Sequence, residues 1–345
     1  TLDLFRPASC LLLGRSGNSQ QMLSLAVVRR LRPGAPPLRK ELSRMIKVVT
    51  DSVASLPKEL IEEENIEVVS LFLNEDGHEH VDATMDLDDF YTRIYDMADN
   101  PPTSSQPSQS TLEELFESFA KAGHEVLGIW ISTGLSGAFD GVLRAARSVE
   151  SRNINFKYCM IDSSSCGFDE AFPVLEGARA VREGKTLAEA AQTVLEAIKS
   201  TRFLFTPESL TFLKKGGRIG GAAALLGNLI KLAPVLTVVD GTPEPMAKVR
   251  TRKKALVKIQ EILEHDIETC GGLKDLVVHY IGDKAPAVEW AKEFFEPFLK
   301  REVRVIPVSP VVGLHVGPAV GISYICNKPL EGKITGDLSS LAVAN

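Results

Sequence analysis

From Ile46 to about residue 202 the chain alternates short β-branched runs with amphipathic stretches of helix length, and few folds accept that order. Ile46–Ser52 reads as a strand, followed by a helix over Pro57–Glu64 and a second strand at Ile66–Leu73. Leu87, Phe90, Ile94 and Met97 recur at helical spacing. Thr111-Leu112-Glu113-Glu114 has the form of a capping box, opening a helix that stops at Gly123. Val126–Ile131 is an unbroken apolar strand, Ser136–Val149 a helix and Lys157–Asp162 a strand, with helices following near Glu170–Glu183 and Leu187–Arg202. Strands separated by helices in this way specify an α/β fold with a mostly parallel sheet.

After about residue 204 the pattern changes. Phe203–Thr206, Leu236–Val239, Leu276–Ile281, Val303–Val308 and Ala319–Ile325 read as strands, with helices near Thr251–Glu268 and Ala285–Lys300. The expected organisation is an N-terminal α/β domain over 46–204, a smaller α+β domain over 205–326 and a tail over 327–345. Residues 1–45 form a basic leader outside the fold. The leader holds eight Lys/Arg against Asp3 and Glu41, in a chain whose net charge is −6. An organelle transit peptide or a basic arm has such a composition. The expectation here is plainer: Met45 is the true start and the leader a mis-assigned extension. Met45 directly precedes the first strand, and Lys40-Glu41 can be encoded AAG GAG, which resembles a bacterial ribosome-binding site.

Charge and composition exclude several classes. An acidic chain is a poor partner for nucleic acid. Five cysteines with no C-x-x-C pair read as reduced, mostly buried thiols of a cytoplasmic protein. Leu11–Leu13 is too short to span a membrane. The uncharged run Ile306–Cys326 is interrupted by Pro307, Pro310 and Pro318 and makes no continuous helix. No integral membrane segment is expected.

Three clusters of small hydroxyl-bearing residues adjoin predicted strands or helices: Pro101–Ser108, Ser132–Ala138 and Asp162–Gly167. In a parallel sheet such loops gather at the carboxyl edge of the strands, where ligands bind. A helix N-terminus there offers free N–H groups to a carboxylate or phosphate. The bland alternative is that these residues are caps and turns. Gly134-Leu135-Ser136-Gly137-Ala138 falls short of the G-x-S-x-G nucleophile elbow because position 138 is Ala. His78-Glu79-His80 reads as a polar turn after Asp76-Gly77, with no third ligand for a metal. Lys214-Lys215-Gly216-Gly217-Arg218 lacks the Walker order. Arg250-Thr251-Arg252-Lys253-Lys254 places cations at a helix N-terminus, against the dipole, which points to a partner or anion. His315, framed by glycines and Pro318, is either a core histidine or a site residue.

These segments together resemble a known family. V-V-T-D-S at 48–52, a hydroxyl-rich loop ending Q-P-S at 106–108, S-T-G-L-S-G at 132–137, K-K-G-G-R-I at 214–219, V-R-T at 249–251 and H-x-G-P at 315–318 look like the DegV family. The resemblance covers about residues 46–326, in the right order. It implies a two-domain α/β fold that buries a long-chain fatty acid, in some members as the binding subunit of a fatty acid kinase. It further implies that the carboxylate is held by Ser104, with Thr103 as the alternative, and by Ser136 and N–H groups near Gly137. His315 and Arg218 match residues lining or supporting the head-group site, and Arg250 one linked with kinase docking. Ser104 replaces the usual Thr, Ala138 the usual Thr and Ala319 the usual Gly, and an additional serine shifts the first loop.

Burial of an acyl chain gains about 0.8 kcal/mol per methylene, so about 14 methylenes gain on the order of 11 kcal/mol before ordering costs. An apolar tunnel suffices for that, and Ala222–Leu232 and Val311–Ile322 are the expected linings. The reading is a fatty-acid carrier that presents its ligand to a partner kinase, with no cofactor or metal of its own. The alternatives are a serine hydrolase acting on a lipid ester and a non-catalytic adaptor.

Overall fold

The computed structural model describes residues 45–226 and 232–345. The expectations about residues 1–44, and part of those about Ala222–Leu232, lie outside the described residues. In chain order the strands begin with β1 (Ile46–Asp51), β2 (Ile66–Val69), β3 (Phe72–Glu75), β4 (His78–Val81) and β5 (Thr103–Ser105). They continue with β6 (Glu125–Trp130), β7 (Tyr158–Asp162), β8 (Thr201–Pro207), β9 (Ala233–Val239) and β10 (Thr242–Val249). The last are β11 (Leu273–Ile281), β12 (Arg304–Pro307), β13 (Ala319–Cys326) and β14 (Ala342–Ala344).

The first sheet has the order β14-β7-β6-β1-β2, with β2, β1, β6 and β7 parallel and β14 antiparallel at the edge. It is the α/β sheet expected from the strand–helix alternation. Its strands are apolar on both faces because helices cover both. Along β6, Val126 and Trp130 face the helices Gln109–Ala122 and Ala138–Arg152, while Leu127 and Ile129 face Phe168–Arg182 and Leu187–Ser200. The second sheet, β10-β9-β8-β13-β11-β12, is antiparallel except for the β11–β12 pair. The helix Arg252–Thr269 buries Ala255, Ile259 and Leu263 against it. The helix Phe168–Arg182 serves both sheets, turning Val174 and Ala178 to the first and Phe168 and Phe172 to Val277 and Ile325 of the second.

Several local expectations are corrected. Ile66–Leu73 is two strands, parted where the Leu71 N–H donates to Ser52 Oγ at 3.0 Å. His78-Glu79-His80 is not a turn: it lies in exposed strand β4, joined to β3 by Asp76-Gly77 with φ of 50° and 79°. Asp-Gly with both φ positive is the tight hairpin turn that matches strand twist. The helix assigned to a box at Thr111 begins at Gln109, because Ser108 Oγ accepts the Thr111 N–H at 3.1 Å. Strand β10 was hidden by Pro243 and Pro245; proline is tolerated because β10 is an edge strand. Residues 327–345 are more than a tail, since β14 pairs with β7 across Ala342–Ile161 and Ala344–Cys159. The four described cysteines, Cys159, Cys166, Cys270 and Cys326, are free and buried. No described helix is long and apolar enough to cross a membrane.

Behind the carboxyl edge of the first sheet lies a group of buried acids. Asp51 accepts the N–H groups of Val53 and Ile131, both at 2.9 Å, and burial still pushes its carboxyl up to about 7. Glu170 accepts the Thr50 hydroxyl at 3.4 Å; burial first, and then the neighbouring Asp51 charge, hold it well above the ordinary carboxylate range. A raised native value means the folded chain keeps a proton that the unfolded chain has lost, so stability falls as pH rises above the ordinary glutamate range. Glu170→Gln, which cannot ionise, removes that contribution. In urea denaturation at about pH 5 and about pH 8, the wild type loses more stability between the two than the variant does. Equal losses would contradict a protonated Glu170.

Candidate functional site

Between the two sheets lies an apolar cavity of about 50 Å³. Ile131 and Leu135, after β6, and Cys166, after β7, line it from the first sheet. Phe203 and Phe205 of β8, Val238 of β9 and Pro243 of β10 line it from the second. A third wall is the short helix Pro310–Val316, with Val311, Val312 and Val316 turned inward. That helix was not expected, although Ser309 caps it and Pro310 occupies its first turn, the usual start signals. A second space of about 10 Å³ shares Phe203, Phe205 and Val316 and runs on to Ala319, Val320 and Gly321. The uncharged run Val311–Ile322 thus lines both spaces. The other expected lining differs: Ala222 and Leu225 pack into the core, and no described residue of that stretch lines either space.

Two polar side chains, His315 and Arg218, line the first cavity. The hydroxyl of Ser104, half-buried on β5, lies 2.9 Å from His315 Nε2. Strand alternation separates the two candidates in that loop. Ser104 faces His315, whereas Thr103 is exposed and Ser105 bonds to Glu79 on the other side at 3.3 Å. Burial, and then the Arg218 charge, push the His315 imidazole down to about 4, so it is neutral near pH 7. Its Nδ1 has no hydrogen-bond partner among the described residues. Arg218 Nε donates to the Leu135 carbonyl at 3.1 Å and Nη1 to the Gly216 carbonyl at 2.6 Å. Its guanidinium therefore ties the K-K-G-G-R loop to the S-T-G-L-S-G loop.

Ser136 follows Leu135 in that second loop and accepts the Ala138 N–H at 3.2 Å. Gly137 directly precedes the helix Ala138–Arg152, whose first-turn N–H groups open beside it. The hydroxyl cluster at 162–167 has a structural role: Ser163 Oγ bonds to the Ser165 carbonyl and Ser165 Oγ to Asp169. Arg250 is exposed between β10 and the helix Arg252–Thr269 and does not line the cavity. Among the described residues no group of three or more His, Cys, Asp or Glu could hold a metal.

Gly216 shows why this loop needs a glycine. A Cβ there would sit 2.5 Å from His315 Nδ1 and 3.1 Å from the Phe212 carbonyl. Gly216→Ala therefore displaces the imidazole from its position beside Ser104 with an ordinary helical φ left in place. Ligand affinity is expected to fall about tenfold while circular dichroism stays unchanged; unchanged affinity would mean that His315 is free to move. Nothing in the sequence marks the aromatic lining of β8, because Phe203 and Phe205 look like any buried strand.

The molecule is thus an α/β protein whose two larger sheets enclose an apolar cavity under a polar mouth, with Ser104 on a third, three-stranded sheet of order β4-β3-β5. Residues 45–327 match the family described as "Uncharacterised protein, DegV family", and the chain belongs to that family. A DegV domain-containing protein of Clostridium perfringens is 38% identical over 280 residues, covering 81% of this chain and 98% of that one. A stearic acid-binding protein from Eubacterium ventriosum superposes with a TM-score of 0.75 at 28% identity, covering 82% of this chain and 99% of its own. DegV of Bacillus subtilis, described as a fatty acid binding protein, gives 0.73 at 28% identity, with 82% and 100% covered.

Proposed function

We propose that this protein binds one long-chain fatty acid, with the acyl chain between the sheets and the carboxylate at Ser104, His315 and Arg218, assisted by Ser136 and N–H groups at Gly137. The observation that carries this reading is the Ser104–His315 pair at the polar mouth of an apolar cavity. The fatty-acid-binding neighbours support it. A neutral imidazole carrying its proton on Nε2 donates to Ser104 Oγ, which frees the serine proton for a carboxylate oxygen. Arg218 supplies the opposite charge, and its two carbonyl contacts hold it in place.

A cavity of about 50 Å³, where one water needs about 10–15 Å³, has room for a few waters and not for a long acyl chain. An acyl chain therefore parts the walls. The stacked Phe203–Phe205 pair, with ring centroids 4.8 Å apart, separates the two spaces and moves for a long chain to pass.

In this reading the protein presents its carboxylate to a partner kinase that brings ATP and metal and makes the acyl phosphate, which sets the pair in the cytoplasm. Arg250 and the exposed Lys253 and Lys254 are the docking cations. Hydrolysis of a lipid ester is the weaker reading. The histidine near the candidate serines touches Ser104 and has no orienting partner on Nδ1 among the described residues, and a group titrating at about 4 is a poor general base at neutral pH. Calorimetric titration with palmitate and with hexadecanol tests the proposal. One palmitate per chain, bound more tightly than the alcohol, is expected; no binding of either would overturn it.

A further inference from the structure

The family match stops at residue 327, yet the residues beyond it are bonded to both sheets. The Leu330 N–H donates to the Lys199 carbonyl at 2.8 Å, and Arg202 Nη2 donates to the Glu331 carbonyl at 3.2 Å. Lys333, 1% exposed, reaches inward and pairs with Asp169, which also accepts Ser165 Oγ. Two residues on, Thr335 donates through its N–H at 2.8 Å and through its hydroxyl to the Asp240 carboxylate. The Asp240 N–H returns a bond to the Lys333 carbonyl at 3.3 Å. Finally β14 adds to the first sheet, and Asn345 Nδ2 donates to the Phe156 carbonyl at 2.8 Å.

The two places gripped by residues 333–335 are both behind cavity walls. Ser165 and Asp169 bracket Cys166, a lining residue from the first sheet. Asp240 is in the β9–β10 turn, between the lining residues Val238 and Pro243 of the second. That turn also presses on the first sheet, since a Cβ on Gly241 would sit 1.9 Å from Ser132 Oγ. One short segment therefore fastens opposite sides of the space that must widen to admit an acyl chain.

We infer that Lys333 and Thr335 are positioning residues of the cavity, and that the segment 328–345 is a strap that slows ligand exchange by holding its two walls together. The inference rests on the fatty-acid reading above. Opening the cavity strains the Lys333–Asp169 and Thr335–Asp240 contacts, so weakening either contact lowers the barrier to release. The first contact is buried and the second exposed, so the first has the larger effect.

The test uses the full chain loaded with cis-parinaric acid, whose fluorescence falls on release, chased with excess oleate in a stopped-flow mixer. Lys333→Met is expected to release the probe about tenfold faster and Thr335→Val about threefold faster. Thr335→Ser, which keeps the hydroxyl, restores the wild-type rate; a merely structural contribution to stability would show in the melting temperature without this pattern. Lys333→Met leaves Asp169 uncompensated, and if that variant does not fold, the exposed Thr335 pair decides alone. Wild-type release rates in Thr335→Val, or fast release in Thr335→Ser as well, would overturn the inference. A wild type that takes up no parinaric acid overturns the fatty-acid reading and the inference with it, and is told apart because the failure appears before any substitution.

Discussion

Ser104→Ala weakens palmitate binding roughly thirtyfold and leaves the affinity for hexadecanol nearly unchanged. The hydroxyl is held 2.9 Å from His315 Nε2, and it is the donor aimed at a carboxylate in this account. A hydrogen bond to a charged group contributes about 2 kcal/mol, and each 1.4 kcal/mol is about tenfold in affinity. An alcohol head has no charge to lose, so the two ligands separate a lost carboxylate contact from a damaged cavity. His315→Ala follows the same pattern, because without the imidazole nothing orients the serine proton. Parallel loss of both ligands in Ser104→Ala would mean that the serine supports strand β5 and does not touch the head group. Retained affinity for both would place the carboxylate elsewhere.

The second large effect belongs to the kinase partner proposed above. Arg250→Glu is expected to reduce acyl-phosphate formation by the proposed kinase more than tenfold while palmitate affinity stays within about twofold, since placing a like charge against an interface built for its opposite costs several kcal/mol. Arg250 is exposed, lies outside the cavity lining and sits beside Lys253 and Lys254 at a helix start, where the dipole disfavours cations. Varying the kinase concentration against loaded carrier gives the docking term directly. Equal losses of phosphorylation and affinity would assign Arg250 to the fold or the lipid site.

Much of this architecture can be read from the chain because local pattern and tertiary role agree. The parallel strands are continuous apolar runs, and the helices between them carry caps or stop signals such as Gly123, whose φ is 76°. Where the two disagree, the sequence misleads. Pro243 and Pro245 argue against a strand, but an edge position removes their cost. Ser108 outcompetes the better-looking Thr111 box simply by standing one turn earlier. The site shows the same division. Ser104, His315 and Arg218 lie in segments marked by glycine and proline, which announce special backbone. Lys333 is silent: an isolated lysine in a glycine-flanked stretch reads as solvated, and only the fold brings it to the buried Asp169. Nothing local encodes a contact across 164 positions.

The central claim is that a fatty acid occupies the space between the sheets, and native mass spectrometry of the purified full chain addresses it most directly, followed by solvent extraction of what is bound. The account predicts one long-chain fatty acid per chain, released on denaturation and replaced one for one by added palmitate. A protein that arrives empty and takes up no added fatty acid would contradict it, and the apolar cavity would then be a feature of the fold with no ligand of this class.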